Sequence, residues 1–324
     1  MNFDTIDTTV QALWRYDYDT NIKALRDLYE VAKKEQWNAA TDIPWEIETD
    51  PEQVGDMTST PNIEPFDFVK RLPKEKQIEL AKKRSAHMLS NFLHGEQGAM
   101  MLCGQLVEVV PDMDGKLYAS TQVVDEARHV EVFHRYIQRL DRIYPAMPGL
   151  TALINAVLTA DLWQMKCIGM QVIAESIAMG SFKTMKEITD DEVLRKVFEL
   201  TSQDEARHVS YGLIYMKDEI PKMNEPDRDR LEDFAWTAMT ILATNGLMEE
   251  KQGKKWVDPL EQIYTEVGID PKKANDETIS RMSDPEALKA QPNPFRDHAY
   301  PQLERIGLIT DRTRSKYQEV GLAQ

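Results

Sequence analysis

Apolar residues recur along this chain at helical spacing, inside long stretches that contain no proline. Prolines are frequent early, at Pro44, Pro51, Pro61, Pro65 and Pro73. None occurs over 74–110, 112–144, 149–220 or 227–258. A proline inside a helix costs ~3 kcal/mol, so these segments predict helices joined at Pro111, Pro145/Pro148 and Pro221/Pro226. In the first segment Leu80, Ala81, Met88, Leu89, Phe92, Met100, Leu102, Leu106 and Val109 step by about one helical turn. In the second, Val123, Val130, Phe133, Ile137 and Leu140 do the same. Such stripes mark amphipathic helices facing a core. No sustained alternation of β-branched and polar residues predicts a strand. The third segment is too long for one simple helix. A break is expected near Gly180-Ser181, with the next helix starting at Asp190-Asp191.

The flanks differ from this middle. Residues 20–36 read as a helix, through Ile22, Leu25, Leu28, Tyr29, Val31 and Ala32. Residues 37–66 read as irregular, and the polar, turn-rich tail from Lys251 as a surface wrap or subunit contact. The expected fold class is all-α. One domain is expected: a four-helix core at about 74–220, an N-terminal wrap at about 1–73, and a flanking helix with a C-terminal wrap at about 225–324.

Composition narrows the chemistry. The 324 residues carry 39 Lys+Arg against 55 Asp+Glu, a net charge of −16. That surface opposes binding to a phosphate backbone, so no nucleic-acid partner is expected. No apolar run reaches the ~18–20 residues that span a bilayer, so no membrane partner is expected either. The N-terminus lacks a basic stretch followed by an apolar one, which argues against a secretory signal. Cys103 and Cys167 are the two cysteines. They cannot make a disulfide framework or a four-cysteine metal site, and they suggest a reducing compartment. A cytoplasmic location is expected. Any metal must rest on carboxylates and some of the six histidines.

One repeat carries that chemistry. Asp125-Glu126-Ala127-Arg128-His129 recurs letter for letter as Asp204-Glu205-Ala206-Arg207-His208, an offset of 79. Residues i and i+3 share a helix face, so Glu126 with His129, and Glu205 with His208, can each hold a metal from one helix. The same offset relates Glu96 to Glu175, each 30 residues before its motif glutamate. Both sit among small and apolar residues, where an unpaired carboxylate is costly to bury. A Glu from each of two helices plus Glu-x-x-His from each of two others is the di-metal ligand set of ferritin-like bundles. The candidate ligands are therefore Glu96, Glu126, His129, Glu175, Glu205 and His208. Oxygen and imidazole donors suit iron or manganese, and spacing does not choose between them. Metal-bound imidazole usually donates its other N–H to a carboxylate. Asp125 and Asp204 are expected in that role across the bundle, with Arg128 and Arg207 paired to these acids. Glu131 and His134 form a third Glu-x-x-His outside the repeat, read as incidental. His87, His94 and His298 have no partner spacing.

These residues resemble the ferritin-like, ribonucleotide-reductase-like di-iron carboxylate superfamily over roughly residues 75–220. The paired Asp-Glu-x-Arg-His motifs look like those of bacterial multicomponent monooxygenase hydroxylase subunits. The chain length and self-contained ligand set are more similar to single-chain di-iron oxygenases such as the arylamine N-oxygenases. There are departures. Phe133 stands where the reductase small subunit keeps its radical tyrosine, and Glu96 where its first ligand is usually Asp. Thr201 stands where arylamine N-oxygenases carry an extra histidine.

The resemblance implies two iron ions, Fe/Fe or Mn/Fe, with O2 as co-substrate. It implies an oxygenase or oxidase acting on a small, largely apolar or aromatic molecule, with an external reductase or ferredoxin as electron donor. A ribonucleotide-reductase-like redox subunit and an iron-storage protein remain as alternatives. A homodimer is expected, because a bundle of this size otherwise exposes an apolar face. Side chains one or two turns from the ligands are expected to line a cavity: Met100, Cys103, Phe133, Ile168, Gln171, Met179, Thr201 and Gly212.

Overall fold

The computed structural model describes residues 4–54, 66–245, 258–282 and 292–323. The parts of the expected wraps that fall on 55–65, 246–257 and 283–291 lie outside the described residues. Among the described residues every regular element is helical.

Helix α1 is Lys23–Lys34, α2 Lys74–Val109 and α3 Met113–Leu140. Helix α4 is Pro148–Thr159 and α5 Trp163–Cys167. A π-helical segment, Ile168–Ala174, runs directly into α6, Glu175–Ile188. Helix α7 is Glu192–Glu219 and α8 Glu225–Ala243. The helix starts follow capping chemistry. Asp191 Oδ1 accepts from the Leu194 amide at 2.8 Å, at the predicted start of α7. Asn224 Oδ1 accepts from the Asp227 amide at 2.9 Å, with Pro226 in the first turn of α8. Each cap satisfies an amide that the helix itself leaves without an acceptor.

The predicted break at Gly180-Ser181 is wrong, since α6 runs straight through it. The break falls at 160–162 instead. Glycine is needed at 180 because the His298 ring occupies the place of a β-carbon. It serves close packing and leaves the helix intact. The true break is stabilised by Lys166. Its ammonium donates to the Val157 and Leu158 carbonyls at 3.1 and 2.8 Å, and to Gln105 Oε1 at 2.8 Å. It thereby caps the C-terminus of α4 from a distance.

Helices α2 and α3 pack as one pair, and the π segment with α6 packs on α7 as another. Helices α3 and α7 also touch, and α1 lies against both. Helices α4 and α8 pack on each other and on the π segment. Helix α1 is fixed by Asp114, fully buried, which accepts from the Asn21 and Ile22 amides at 2.8 Å each and from Arg26 Nε at 2.8 Å. That anchor delivers the residues just after α1 to the middle of the bundle. No helix among the described residues is long and apolar enough to cross a membrane.

Candidate metal centre

The repeat places its polar residues on the inward faces of α3 and α7. Asp125, Glu126, His129, Glu205 and His208 are buried to the last percent, and Asp204 is 1 % exposed. Glu96 comes from the middle of α2, and Glu175 is the first residue after the π segment. Ligand atoms of Glu96, Glu126, His129 and Glu205 lie within 4.8 Å of one another. So do those of Glu126, Glu175, Glu205 and His208. The two groups share Glu126 and Glu205. All six residues singled out from the sequence are thus brought together.

Each imidazole is oriented from both sides. His129 Nδ1 lies 3.2 Å from Glu126 Oε2, 3.2 Å from Glu205 Oε1 and 3.3 Å from Glu96 Oε2. His208 Nδ1 lies 3.2 Å from Glu126 Oε1 and 3.0 Å from Glu205 Oε2. The opposite nitrogens reach aspartates. His129 Nε2 meets Asp204 Oδ2 at 3.1 Å, and His208 Nε2 meets Asp125 Oδ2 at 3.3 Å. The acid of each motif therefore serves the histidine of the other. Arg128 Nη2 donates to Asp125 Oδ1 at 2.6 Å and to Asp204 Oδ2 at 3.0 Å. Arg207 pairs with Asp204 and lies 3.7 Å from Asp125.

Four further residues of this network have no mark in the repeat. Trp37 Nε1 donates to Asp204 Oδ2 at 2.8 Å, and its ring stacks on His129 at 6.4 Å. Gln36 Nε2 donates to Asp125 Oδ1 at 3.0 Å, and Gln36 Oε1 accepts from Arg128. Glu35 pairs with Arg207 at 2.8 Å. Nothing in sequence spacing links 35–37 to residues so distant in the chain. Gln122 Nε2 donates to Glu126 Oε1 at 2.9 Å and to Glu175 Oε1 at 3.3 Å. It sits four residues before Glu126, so helical spacing could have found it.

The donor set fits a pair of cations. The two arginines offset the two aspartates, which leaves four buried glutamates. Glu126 Oε2 and Glu205 Oε1 are buried without a well-directed hydrogen bond. Burial, then the neighbouring carboxylates, pushes Glu175 well above the usual carboxylate range. Burial raises Glu96 likewise. Burial lowers the imidazole of His208, but Glu126 and Glu205 more than reverse it, to about 10. Burial opposes the charge on His129 too, and Asp204 with the glutamates outweighs it and raises that imidazole as well. Glu205 goes the other way: burial opposes its charge, but His208 and His129 outweigh it and hold this carboxyl well below the usual range. Without metal, the charge is thus met by protons on Glu96 and Glu175 and by cationic imidazoles beside Glu205. Two divalent ions would balance four ionised glutamates and leave both histidines neutral.

A cavity of about 210 Å³ opens beside Glu96 and Glu175. Its other walls are mainly apolar, from α2 (Phe92, Ala99), α4 (Leu153, Ile154) and the π segment with α6 (Met170, Ile177). The eight residues expected to line a cavity are not on this one. Phe133 packs against Phe92, Phe182 and Phe198. Gln171 donates to Cys103 Sγ at 3.5 Å, both fully buried. Thr201 Oγ1 donates to the Val197 carbonyl at 2.9 Å, and Gly212 lies against Gln171. Ile168 is core, and Met100 and Met179 are half-buried. Those positions were placed by regular helical turns from the candidate ligands. The π segment interrupts that regular spacing, and the open space lies instead where α4 and α8 meet α2 and the π segment with α6.

The sequence profile of the family described as P-aminobenzoate N-oxygenase AurF matches residues 19–284. The chain belongs to the AurF family. Membership makes it a dinuclear-metal oxidoreductase, and it holds although Thr201 replaces the extra histidine expected of arylamine N-oxygenases. An uncharacterized protein of Mycobacterium tuberculosis (strain ATCC 25618 / H37Rv) is 22% identical to this AurF-family chain over 244 residues, covering 68% of this chain and 69% of its own length. An uncharacterized protein of Mycobacterium bovis (strain ATCC BAA-935 / AF2122/97) gives the same figures. Among solved structures, a point mutant of an R2-like ligand-binding oxidase with anaerobically reconstituted Mn/Fe cofactor aligns at TM-score 0.48 and 19% identity, over 82% of this chain and 92% of that one. The R2-like ligand-binding oxidase with aerobically reconstituted Mn/Fe cofactor aligns at TM-score 0.43 and 18% identity, over 91% of this chain and 94% of that one.

Proposed function

We propose that this chain is a di-iron oxygenase that uses O2 to oxidise a small, largely apolar or aromatic molecule. The observation that carries this reading is the pair of ligand groups sharing Glu126 and Glu205, with an apolar cavity ending at Glu96 and Glu175. In this reading Glu96, Glu126, His129 and Glu205 hold one metal, and Glu126, Glu175, Glu205 and His208 hold the other. Iron bound there supplies the electrons that reduce O2.

The chain's own groups do the rest. Asp204 and Asp125 accept the Nε2 protons of His129 and His208, which leaves both Nδ1 atoms free to ligate. Gln122 steadies Glu126 and Glu175 from one side. The cavity holds the substrate beside Glu96 and Glu175, against walls that are mainly apolar. Phe133, inside a cluster of phenylalanines, offers no phenol for a radical-storing role.

Inserting one oxygen atom and releasing the other as water takes two electrons beyond those of the substrate. An external reductase or ferredoxin is therefore part of the proposal. So is a homodimer, supported by apolar side chains exposed on α2 and α3, Met101 at 46 % and Val124 at 52 %. Two buried, free cysteines support a reducing, cytoplasmic setting. The test is anaerobic reduction of the iron-loaded chain, then O2 with and without a panel of neutral aromatic amines and hydrocarbons. Oxygen uptake with an oxygenated product is the expected result. Iron loading without any O2 consumption under all donors would refute the reading.

A further inference from the structure

This inference rests on the oxygenase reading and concerns what the cavity admits. Two glycines of α2 face α4, and they differ. At Gly98 a β-carbon would stand 2.7 Å from Ile154 Cγ1, so close helix packing requires glycine there. At Gly95 the nearest atom is Leu150 Cδ1 at 3.9 Å, an ordinary contact. Alanine fits at 95 without displacing anything, and a helix interior favours alanine over glycine. Neither packing nor helix formation accounts for Gly95. It does leave room in the cavity that it lines together with Leu150. Ala99 on α2, and Ala174 and Ala178 at the junction of the π segment with α6, line the same space. Small residues thus flank both Glu96 and Glu175.

We propose that Gly95, beside Leu150, is the specificity-determining position, and that it sets the width for a single uncharged aromatic ring. An apolar cavity of about 150 Å³ takes benzene. At about 210 Å³ this one has room for one ring with a small substituent. Its hydrocarbon walls penalise a charged ring substituent, whose burial without a partner is costly. A larger side chain at 95 meets Leu150 on one side and fills the cavity on the other.

The test uses the full chain loaded with metal and kept free of O2, with toluene and mesitylene as probes in calorimetric titrations. The wild type is expected to bind toluene at least tenfold more tightly than mesitylene. Gly95→Val weakens toluene at least tenfold while two metals per chain remain. Leu150→Ala narrows the toluene-to-mesitylene gap at least tenfold, and carries the test alone if Gly95→Val loses metal. Gly95→Ala raises the melting temperature. Unchanged toluene binding in a metal-replete Gly95→Val, an unchanged gap in Leu150→Ala, or a lower melting temperature for Gly95→Ala would overturn the assignment. A chain that binds the probes this way but never consumes O2 refutes the oxygenase reading and leaves the width filter standing. A chain that consumes O2 while Gly95→Val binds toluene normally refutes the filter alone.

Discussion

The two halves of the centre carry matching carboxylates and imidazoles on differently built helices. The first half is regular: α2 is an unbroken helix through Glu96, and α3 through Glu126 and His129. The second half reaches Glu175 through a break at 160–162 and the π segment. Positions related by the offset of 79 show the consequence. Phe133 fills its half with a ring, whereas its counterpart Gly212 lets Gln171 of the π segment come close. Gln122 steadies two glutamates, whereas its counterpart Thr201 bonds only to its own helix. The repeated motifs set which atoms converge. The unrepeated residues decide which side opens to a substrate.

Loss of a residue common to both groups is expected to have the largest effect. Glu126 belongs to both ligand groups, whereas His208 belongs to one. Glu126→Ala is expected to bring bound metal from two per chain to near none, and His208→Ala to one or fewer, by elemental analysis of purified protein. Two metals retained in either variant would refute the ligand assignment. Metal removal should also lower the melting temperature. A ligand at 100 times its Kd adds about 2.7 kcal/mol to the folded state, and the metal-free site must hold four glutamates together. An apo form as stable as the loaded one would contradict this.

Next comes the crossing of the aspartates. Losing the carboxylate that orients a ligand histidine costs roughly 10–100-fold in metal affinity. Asp204 reaches His129 of the other motif, not His208 of its own. Asp204→Asn is therefore expected to weaken metal binding in a His208→Ala background and to add little in a His129→Ala background. The opposite pattern in competitive metal titrations would show that each motif acts alone. Trp37→Phe removes a single donor to Asp204 and should have a smaller effect of the same kind.

Much of this was readable in the sequence. Proline-free segments located α2, α3 and α7, and Asp191 marked a helix start. The letter-for-letter motif, with Glu96 and Glu175 at one offset, picked out all six converging side chains. That the aspartates would face histidines followed from how a metal-bound imidazole is usually held; which histidine each one meets is set by how α3 and α7 pack. What stayed hidden depends on tertiary contact. Gly180 read as a breaker because the sequence does not show His298 lying against it. The π segment has no local signature, so a cavity counted in regular turns was put in the wrong place. Gln36 and Trp37 enter the site because α1, anchored at its start by Asp114, packs across α3 and α7.

Glycines in the two halves also differ in how tightly they are packed. A β-carbon at Gly212 would lie 2.7 Å from Gln171 Cβ, whereas one at Gly104 meets nothing within 4 Å. Gly212→Ala is expected to destabilise the chain by about 1–3 kcal/mol, as overpacking does. Gly104→Ala should stabilise it by roughly 0.5–1 kcal/mol, since alanine is the better helix former. Urea unfolding of the metal-loaded proteins reads both. Equal effects at the two sites would remove the claim that the second half needs glycine to admit its widened turn.

A last difference lies in how the two halves respond to pH. Lys166 occupies the place that His87 holds in the first half, and both are buried. Burial pulls the Lys166 ammonium down to about 8, with Asp161 acting weakly against it. The unfolded chain keeps that proton up to about 10.4. Between these values the unfolded state binds more protons, so stability rises with pH from about 8 toward 10.4. His87 is also lowered by burial, against Asp258 and with Arg84, and its Nε2 has no hydrogen-bond partner among the described residues. Its window lies on the acid side, where stability falls as pH drops below about 6.5. Lys166→Met should therefore flatten the rise between pH 8 and 10, and leave the acid limb unchanged. It should also lower stability at every pH, because three acceptors lose their donor. A variant whose alkaline slope matches the wild type would mean that the Lys166 ammonium stays charged throughout, held by the carbonyls it caps.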